Sequence, residues 1–193
     1  ETGISLKAIS NSVLSFEEKM ALKKTRADLF DSNLYLAASN PMSVGDIRGK
    51  AIKLHSNTKI DLIVVDYLQM IATAGQNRTQ EIGAVSRALK TLARDLDVPV
   101  IALSSLNRAA DKRDDKRPMM SDLRESGDIE SDADVIMFLY RASYYSPAGN
   151  REFIETDECE VIVGKNRNGP VGSVVLEYTP GNGRFKDMDF SLL

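Results

Sequence analysis

The stretch Asp61-Leu62-Ile63-Val64-Val65-Asp66 decides the fold class of this 193-residue chain. Its unbroken apolar centre, rich in β-branched residues, is typical of a strand that is buried on both faces of a parallel sheet. A second apolar run, residues 98–103, follows the amphipathic helical pattern of residues 79–96. Helices that alternate with buried strands predict an α/β fold, in which helices cover both faces of a mainly parallel sheet.

Local signals place the remaining elements around these two strands. Helix-start signals lie at Ser15, which forms a capping box with Glu18, and at Ser43. Residues 107–120 are polar and interrupted by a proline, which predicts a loop. The predicted elements are helices to about residues 30 and 56, strands at 34–36 and 133–140, a surface loop at 146–157, and late antiparallel strands at 160–164, 173–178 and 184–186.

Composition bounds the class of protein. Hydrophobic residues make up 42% and charged residues 27%, which is typical of a soluble globular domain. No apolar run approaches the ~18 residues of a membrane-spanning helix, and the first residues lack the features of a signal peptide. Because His55 is the only histidine and Cys159 the only cysteine, a zinc site is not expected. A single cysteine cannot form an intrachain disulfide, so we expect a reducing, cytoplasmic location.

Charge is unevenly distributed along the chain. The net charge of −3 argues mildly against a nucleic-acid binder, many of which are basic. Locally the balance differs, since Lys165 and Arg167 form one basic group and residues 108–117 form another. The second group holds Arg108, Lys112, Arg113, Lys116 and Arg117 against Asp111, Asp114 and Asp115. A local basic site on an acidic protein is therefore compatible with the composition.

Two candidate sites lie where the buried strands end. Ligands of open α/β sheets bind beyond the carboxyl ends of the strands. Asp66 is therefore placed to hold Mg²⁺ beside a nucleotide phosphate, or else to cap the next turn. Ser105 follows the second strand, where it could sense a phosphate or satisfy backbone groups of a turn.

Two further candidate sites are basic. Residues 116–127 include Arg117, Arg124 and Gly127 near a predicted helix start, which suits phosphate binding, although a solvated charged loop is the alternative. Lys165 and Arg167 are two positions apart on a strand and so point to the same side. They could clamp an anion, or could form a charged hairpin tip.

Three segments, which occur in the same order as in that family, resemble motifs of the DnaB-type replicative helicases. Asp66-Tyr67-Leu68-Gln69-Met70 resembles the Walker B segment of that family. Lys165-Asn166-Arg167-Asn168-Gly169-Pro170 resembles its arginine-finger segment. The central and most specific resemblance, to the DNA-binding motif and the strand after it, comprises Ser121-Asp122-Leu123-Arg124-Glu125-Ser126-Gly127, then Ile129-Glu130, Asp132-Ala133-Asp134 and Met137-Phe138-Leu139-Tyr140-Arg141.

The resemblance implies a RecA-like P-loop NTPase core and an ATP-dependent motor. Members form hexameric rings around single-stranded DNA, move 5′ to 3′, and bind nucleotide between neighbouring subunits. Asp66 would coordinate Mg²⁺, and Lys165 and Arg167 would reach the γ-phosphate of the neighbour's ATP. Arg124, Glu125 and Gly127 would line the DNA channel, with Arg117 nearby. Primase and a helicase loader are candidate partners.

The chain departs from the family pattern at two points. Ser105 stands where the family usually has a glutamine that senses the γ-phosphate, which leaves this role in doubt. The phosphate-binding pattern G-x-x-x-x-G-K-[ST] does not occur in the sequence. We therefore expect residues 1–193 to be the C-terminal part of a single motor domain, inactive as an ATPase by itself. Another RecA-like ATPase, such as a recombinase or a KaiC-like regulator, and a non-enzymatic DNA-binding module are the alternatives.

Overall fold

A computed structural model describes residues 2–38, 42–72, 77–107, 109–145 and 156–188. The chain divides into two compact units. The first comprises Glu1–Ala38, Leu139–Val161 and Ser173–Leu193, and the second comprises Ser39–Phe138 and Ile162–Gly172. The elements are α1 Leu6–Ser10, α2 Phe16–Phe30, β1 Met42–Ser43, α3 Val44–Thr58, β2 Ile63–Val65, β3 Ile71–Ala72, α4 Arg78–Leu96, β4 Val100–Ala102, α5 Gly127–Asp132, β5 Val135–Tyr140, β6 Asp157–Asn166, β7 Gly172–Thr179 and β8 Arg184–Asp187.

The parallel pair β2–β4 organises the second unit. Val64 lies opposite Ile101, and Val65 lies opposite Ala102. The pairing continues past the end of β4, because the Leu103 N–H donates to the Val65 carbonyl at 2.9 Å. A second parallel pair joins β1 to β3. The predicted parallel strands are confirmed.

Helix α4 supplies four of the nine buried residues in the main apolar cluster of the second unit. Its apolar residues recur at helical spacing, and Ile82, Val85, Leu89 and Leu92 are all buried. They pack with Val65 and with other residues of the same cluster, so one face of the β2–β4 pair is covered. Asn77 begins the helix by accepting hydrogen bonds from the backbone N–H groups of residues 79 and 80.

Two expectations from the sequence are wrong. The strands β2 and β4 are not buried on both faces, since Val64 is 58% and Ile101 48% exposed. Side chains alternate between the faces of a strand, and α4 covers the face that carries Val65. Residues 34–36 form no strand within the described part of the chain, and Leu36 is 84% exposed. The apolar character of this segment does not by itself predict a strand, because a strand also needs a neighbouring strand to pair with.

The capping box at Ser15, the helix start at Ser43 and the late strands agree with prediction. Ser15 and Glu18 exchange side-chain and backbone hydrogen bonds at the start of α2, and Ser43 and Asp46 do so at the start of α3. Strands β5 to β8 form one sheet in the order β5-β6-β7-β8, with β7 and β8 antiparallel. The predicted loop at 146–157 lies almost wholly outside the described residues.

In the first unit, side chains of β7 and β8 and of a neighbouring segment pack together. Tyr178 on β7 contacts Phe185 on β8, with ring centroids 4.7 Å apart. The Arg141 guanidinium lies 4.6 Å from the centroid of the Tyr178 ring, an attractive cation–π geometry.

Cys159 is 1% exposed, and burial raises the pKa of its thiol. This agrees with its interpretation as a small apolar residue.

Candidate functional site

The carboxyl ends of β2 and β4 bring Asp66 and Ser105 to one edge, as predicted for parallel strands. The Leu68 N–H donates to the Leu103 carbonyl at 2.9 Å, so the segments after the two strands stay side by side. The Asp66–Tyr67 peptide bond is cis. Asp66 is exposed, and within the described part of the chain its carboxylate makes no hydrogen bond or ion pair. Turn capping by Asp66 is therefore not observed there.

Gln69 joins the two strand ends and was not singled out from the sequence. Its amide nitrogen donates to the Ser104 hydroxyl at 3.0 Å, and its amide oxygen accepts from the Ser105 N–H at 3.3 Å. The backbone at Ser105 is therefore tied to the segment that carries Asp66. Gln69 lies within the segment that resembles Walker B, which marks it as a candidate. Spacing in the sequence does not predict a side-chain hydrogen bond between residues 35 positions apart.

The acidic groups of the described residues could provide one ligand for Mg²⁺ but not a complete site. No cluster of three or more metal-ligating side chains occurs among them. Mg²⁺ is commonly held by one or two carboxylates, with phosphate oxygens and water completing its octahedral shell. The single open carboxylate of Asp66 fits that arrangement, whereas a metal site built from protein side chains alone is not formed by the described residues.

The loop after Ser105 is closed at its base and braced inside. The Asn107 N–H donates to the Asp122 carbonyl at 3.1 Å. Inside the loop, two nitrogens of the Arg113 guanidinium donate to the two carboxylate oxygens of Asp122, at 2.6 and 2.9 Å. The Met119 N–H donates to the same carboxylate at 2.9 Å. The segment between the strand end and the DNA-binding resemblance is thus internally tied.

Asp122 is a buried charge in this loop. It is 3% exposed, and a buried carboxylate is costly unless it is paired and hydrogen-bonded. The hydrogen bond from Arg113 holds the pKa of Asp122 below its ordinary value. Arg113 also donates to the carbonyl of Arg117 at 2.8 Å and to that of Asp115 at 3.2 Å. The Arg113 charge is therefore used within the loop, although Arg113 was predicted to belong to a basic group that could bind an anion.

The residues predicted to contact DNA lie at the far end of this loop. Arg117 is exposed, and its backbone N–H donates to the Asp115 carboxylate at 2.9 Å. Arg124 and Glu125 lie in the 3-10 helix Met120–Ser126, and Gly127 is the first residue of α5. Leu123, in the same 3-10 helix, is buried with Ile136 and Phe138, which anchors the segment to the second unit.

The two cations at the end of β6 reach the last turn of α5. The Lys165 ammonium donates to the Glu130 carbonyl. The Arg167 guanidinium donates to the Ser131 carbonyl at 3.0 Å and lies 3.2 Å from the Asp134 carboxylate. Both side chains therefore point to the same side, as their spacing predicted.

Asp134 and Lys90 belong to the same group of residues. Lys90 on α4 donates to the Asp134 carboxylate, and this bond is the main reason that the pKa of Asp134 is lowered. No local pattern in the sequence predicts this pair, because Lys90 and Asp134 are 44 positions apart. The structure thus forms two groups, Asp66 with Ser105 and Lys165 with Arg167, and the braced loop leads from the first towards α5.

The sequence matches the family described as DnaB-like helicase C terminal domain over residues 1–187. It is 41% identical over 192 residues to the replicative DNA helicase DnaB of Geobacillus stearothermophilus, covering 98% of this chain and 41% of that protein. The chain thus spans about two-fifths of the length of this curated relative.

Two solved structures are similar to the chain at a TM-score of 0.85 and 39% sequence identity. One is an ATPase domain, where the match covers 97% of this chain and 67% of that one. The other is a DnaB-like replicative helicase studied with its interactions with primase, where the match covers 97% of this chain and 46% of that one. The RecA-like α/β fold predicted from the sequence is confirmed.

Replacing Asp122 with asparagine should destabilise the protein by about 1–3 kcal/mol, because the Arg113 guanidinium and the Met119 N–H lose a charged acceptor in a buried place. The change in free energy of unfolding is measured in urea. Arg48→Ala is the matched control, since Arg48 and Asp95 are 2.7 Å apart but 46% and 42% exposed. That control should lose less than about 1 kcal/mol. Equal losses in both variants would contradict the proposed brace.

The contribution of Asp122 should also depend on pH. Its folded-state pKa lies below the unfolded value of about 3.9, so its stabilisation is fully present above that value and is lost as the pH falls through the folded-state pKa. The difference in unfolding free energy between the wild type and Asp122→Asn should therefore be constant from neutral pH to about pH 5 and shrink in more acidic solution. A difference that shrinks between neutral pH and about pH 5 would contradict this assignment.

Proposed function

Because the chain belongs to the DnaB-like helicase C-terminal domain family, we propose that it is part of the motor of a replicative helicase that uses ATP to move 5′ to 3′ on single-stranded DNA as a hexameric ring. Residues 1–193 form the C-terminal part of one RecA-like motor domain in this proposal. The observation that carries it is the open carboxylate of Asp66 at the carboxyl edge of the β2–β4 pair, beside Ser105.

Asp66 is the residue that would hold Mg²⁺ at this edge. Its exposure and its lack of a partner in the described part of the chain leave both carboxylate oxygens available. When bound, the ion neutralises charge on the ATP phosphates. Ser105 lies at the same edge, where its backbone N–H donates to Gln69, and in this proposal its hydroxyl faces the same nucleotide. A serine is shorter than the glutamine usual in the family, and a water molecule would complete the contact.

Lys165 and Arg167 act on a neighbouring subunit in this proposal. Cations that contact the γ-phosphate in trans stabilise the charge that develops during phosphoryl transfer. The exposure supports this role, because the Arg167 side chain is 50% exposed and its ion pair with Asp134 is of the weak surface type. Nucleotide would therefore be bound at subunit interfaces, and the chain alone would not hydrolyse ATP, since its sequence has no phosphate-binding loop.

The segment that carries Arg124, Glu125 and Gly127 would line the DNA channel, with Arg117 at its approach. Contacts to phosphates position a strand without reading its sequence, which suits a motor that moves over any sequence. The braced loop beneath this segment supports the proposal, because it fixes where the DNA-binding residues begin. Primase and a helicase loader are the protein partners that we propose for the longer protein, in the cytoplasm. None of the described helices is long and apolar enough to cross a bilayer.

Arg124→Ala in the longer protein should weaken single-stranded DNA binding and make its salt dependence shallower, by a slope of about 0.7 for one lost phosphate contact. Binding is measured by fluorescence anisotropy over a range of salt concentrations. Arg94→Ala is the control, since Arg94 is exposed in the last turn of α4 rather than in the proposed DNA-binding segment. Unchanged DNA affinity in Arg124→Ala would sink the channel assignment.

Arg167→Ala in the longer protein should lower ATP hydrolysis by the assembled ring by about a thousandfold or more, as for other arginine fingers. Nucleotide affinity of the separate subunit should stay nearly the same, because Arg167 acts on the neighbour. Hydrolysis is measured by phosphate release and affinity by a fluorescent ATP analogue. A variant that hydrolyses ATP at the wild-type rate, or one whose separate subunit no longer binds nucleotide, would argue against a role in trans.

A further inference from the structure

Helix α5 joins the two ends of the proposed machinery within one subunit. It begins at Gly127, in the proposed DNA-binding segment, and ends at Asp132. The last carbonyls of a helix have no partner inside it, and cations are favoured there. In α5 these carbonyls accept hydrogen bonds from Lys165 and Arg167, the two residues proposed to act on the neighbouring nucleotide.

Asp134 holds Arg167 from two directions. Its carbonyl accepts from the Arg167 backbone N–H at 2.8 Å, and its carboxylate lies 3.2 Å from the Arg167 guanidinium. The other carboxylate oxygen accepts from Lys90 on α4. Lys90, on a helix of the core, therefore also contacts the Asp134 carboxylate, and Arg167 is held by both Asp134 and the end of α5.

The hold on the Arg167 side chain is of the kind that can be released. Both partners are about half exposed, at 50% for Arg167 and 48% for Asp134. An exposed ion pair of this type shifts an equilibrium by a factor of roughly two to five. The backbone bond to the Asp134 carbonyl can stay in place while the side chain leaves, so release would need a change of rotamer and no change in β6.

We propose that Asp134 is a positioning residue that restrains Arg167 on its own subunit, and that occupation of the DNA-binding segment loosens this restraint through α5. The inference rests on the proposed function, in which Arg167 acts in trans. In the absence of DNA, the Asp134 carboxylate and the Ser131 carbonyl compete with the neighbour's γ-phosphate for the guanidinium. When DNA is bound at the start of α5, a shift of this short helix moves its last carbonyls, and Arg167 becomes available.

The test uses Asp134→Asn in the longer, ring-forming protein. The amide keeps the size of the side chain and removes its charge. Hydrolysis without DNA should rise by about two- to fivefold, the range of an exposed ion pair, while hydrolysis with saturating single-stranded DNA stays the same. The ratio of the two rates should therefore fall. A purely structural role would lower both rates and leave the ratio unchanged.

Two matched variants sharpen the test. Asp95→Asn removes a similarly exposed carboxylate, which pairs with Arg48 on α3, and it should leave both rates at the wild-type level. Asp134→Glu keeps the charge and should retain most of the stimulation by DNA. If Asp134→Asn does not assemble into rings, Asp134→Ser removes the same charge with a smaller side chain and is measured in the same way.

The outcomes separate this inference from the function on which it rests. If the wild type is stimulated by DNA and Arg167→Ala abolishes hydrolysis, but Asp134→Asn keeps the wild-type ratio, the restraint is wrong and the helicase proposal stands. If the wild type shows no stimulation by DNA, the helicase proposal itself fails. A lower ratio in Asp134→Asn, with Asp95→Asn unchanged, supports the restraint.

Discussion

The pairing of the buried Asp122 carboxylate with the Arg113 guanidinium is the constraint on which the arrangement of the candidate sites depends. A carboxylate that is 3% exposed must be compensated, and Arg113 does so with two parallel hydrogen bonds. The same guanidinium also binds two carbonyls of its own loop. The backbone bond from Asn107 to Asp122 closes the loop beside the β4 edge. The carboxyl edge of the β2–β4 pair and the proposed DNA-binding segment therefore share one braced connection.

Helix α5 continues this connection to the proposed trans-acting residues. The helix is short, and its C-terminal carbonyls are satisfied by side chains from the end of β6 and the residue after it. Arg113 pairs with a nearly buried carboxylate, whereas Arg167 pairs with an exposed one. This difference in burial gives each arginine a role that fits its place. The first fixes a loop, and the second, in our proposal, exchanges its intramolecular partner for a phosphate.

The sequence predicted the features that depend on local pattern. Asp66 at the end of an apolar run, the α4 stripe and the capping box at Ser15 all follow from spacing of a few residues. Burial of both strand faces was wrong, because it depends on which helices cover the sheet, as exposed Val64 shows. The pairing of Lys90 with Asp134 was equally inaccessible, since it joins elements 44 positions apart. A cation looks the same in a sequence whether it binds a phosphate or an internal carboxylate.

The most direct measurement is the rate of ATP hydrolysis by the longer protein, which we propose forms a ring, with and without single-stranded DNA, alongside the rate of this chain alone. We expect DNA to raise the rate of the ring severalfold, and we expect this chain alone to show no hydrolysis above background. A ring whose rate is the same with and without DNA would contradict a helicase motor in which α5 joins the DNA-binding segment to Arg167.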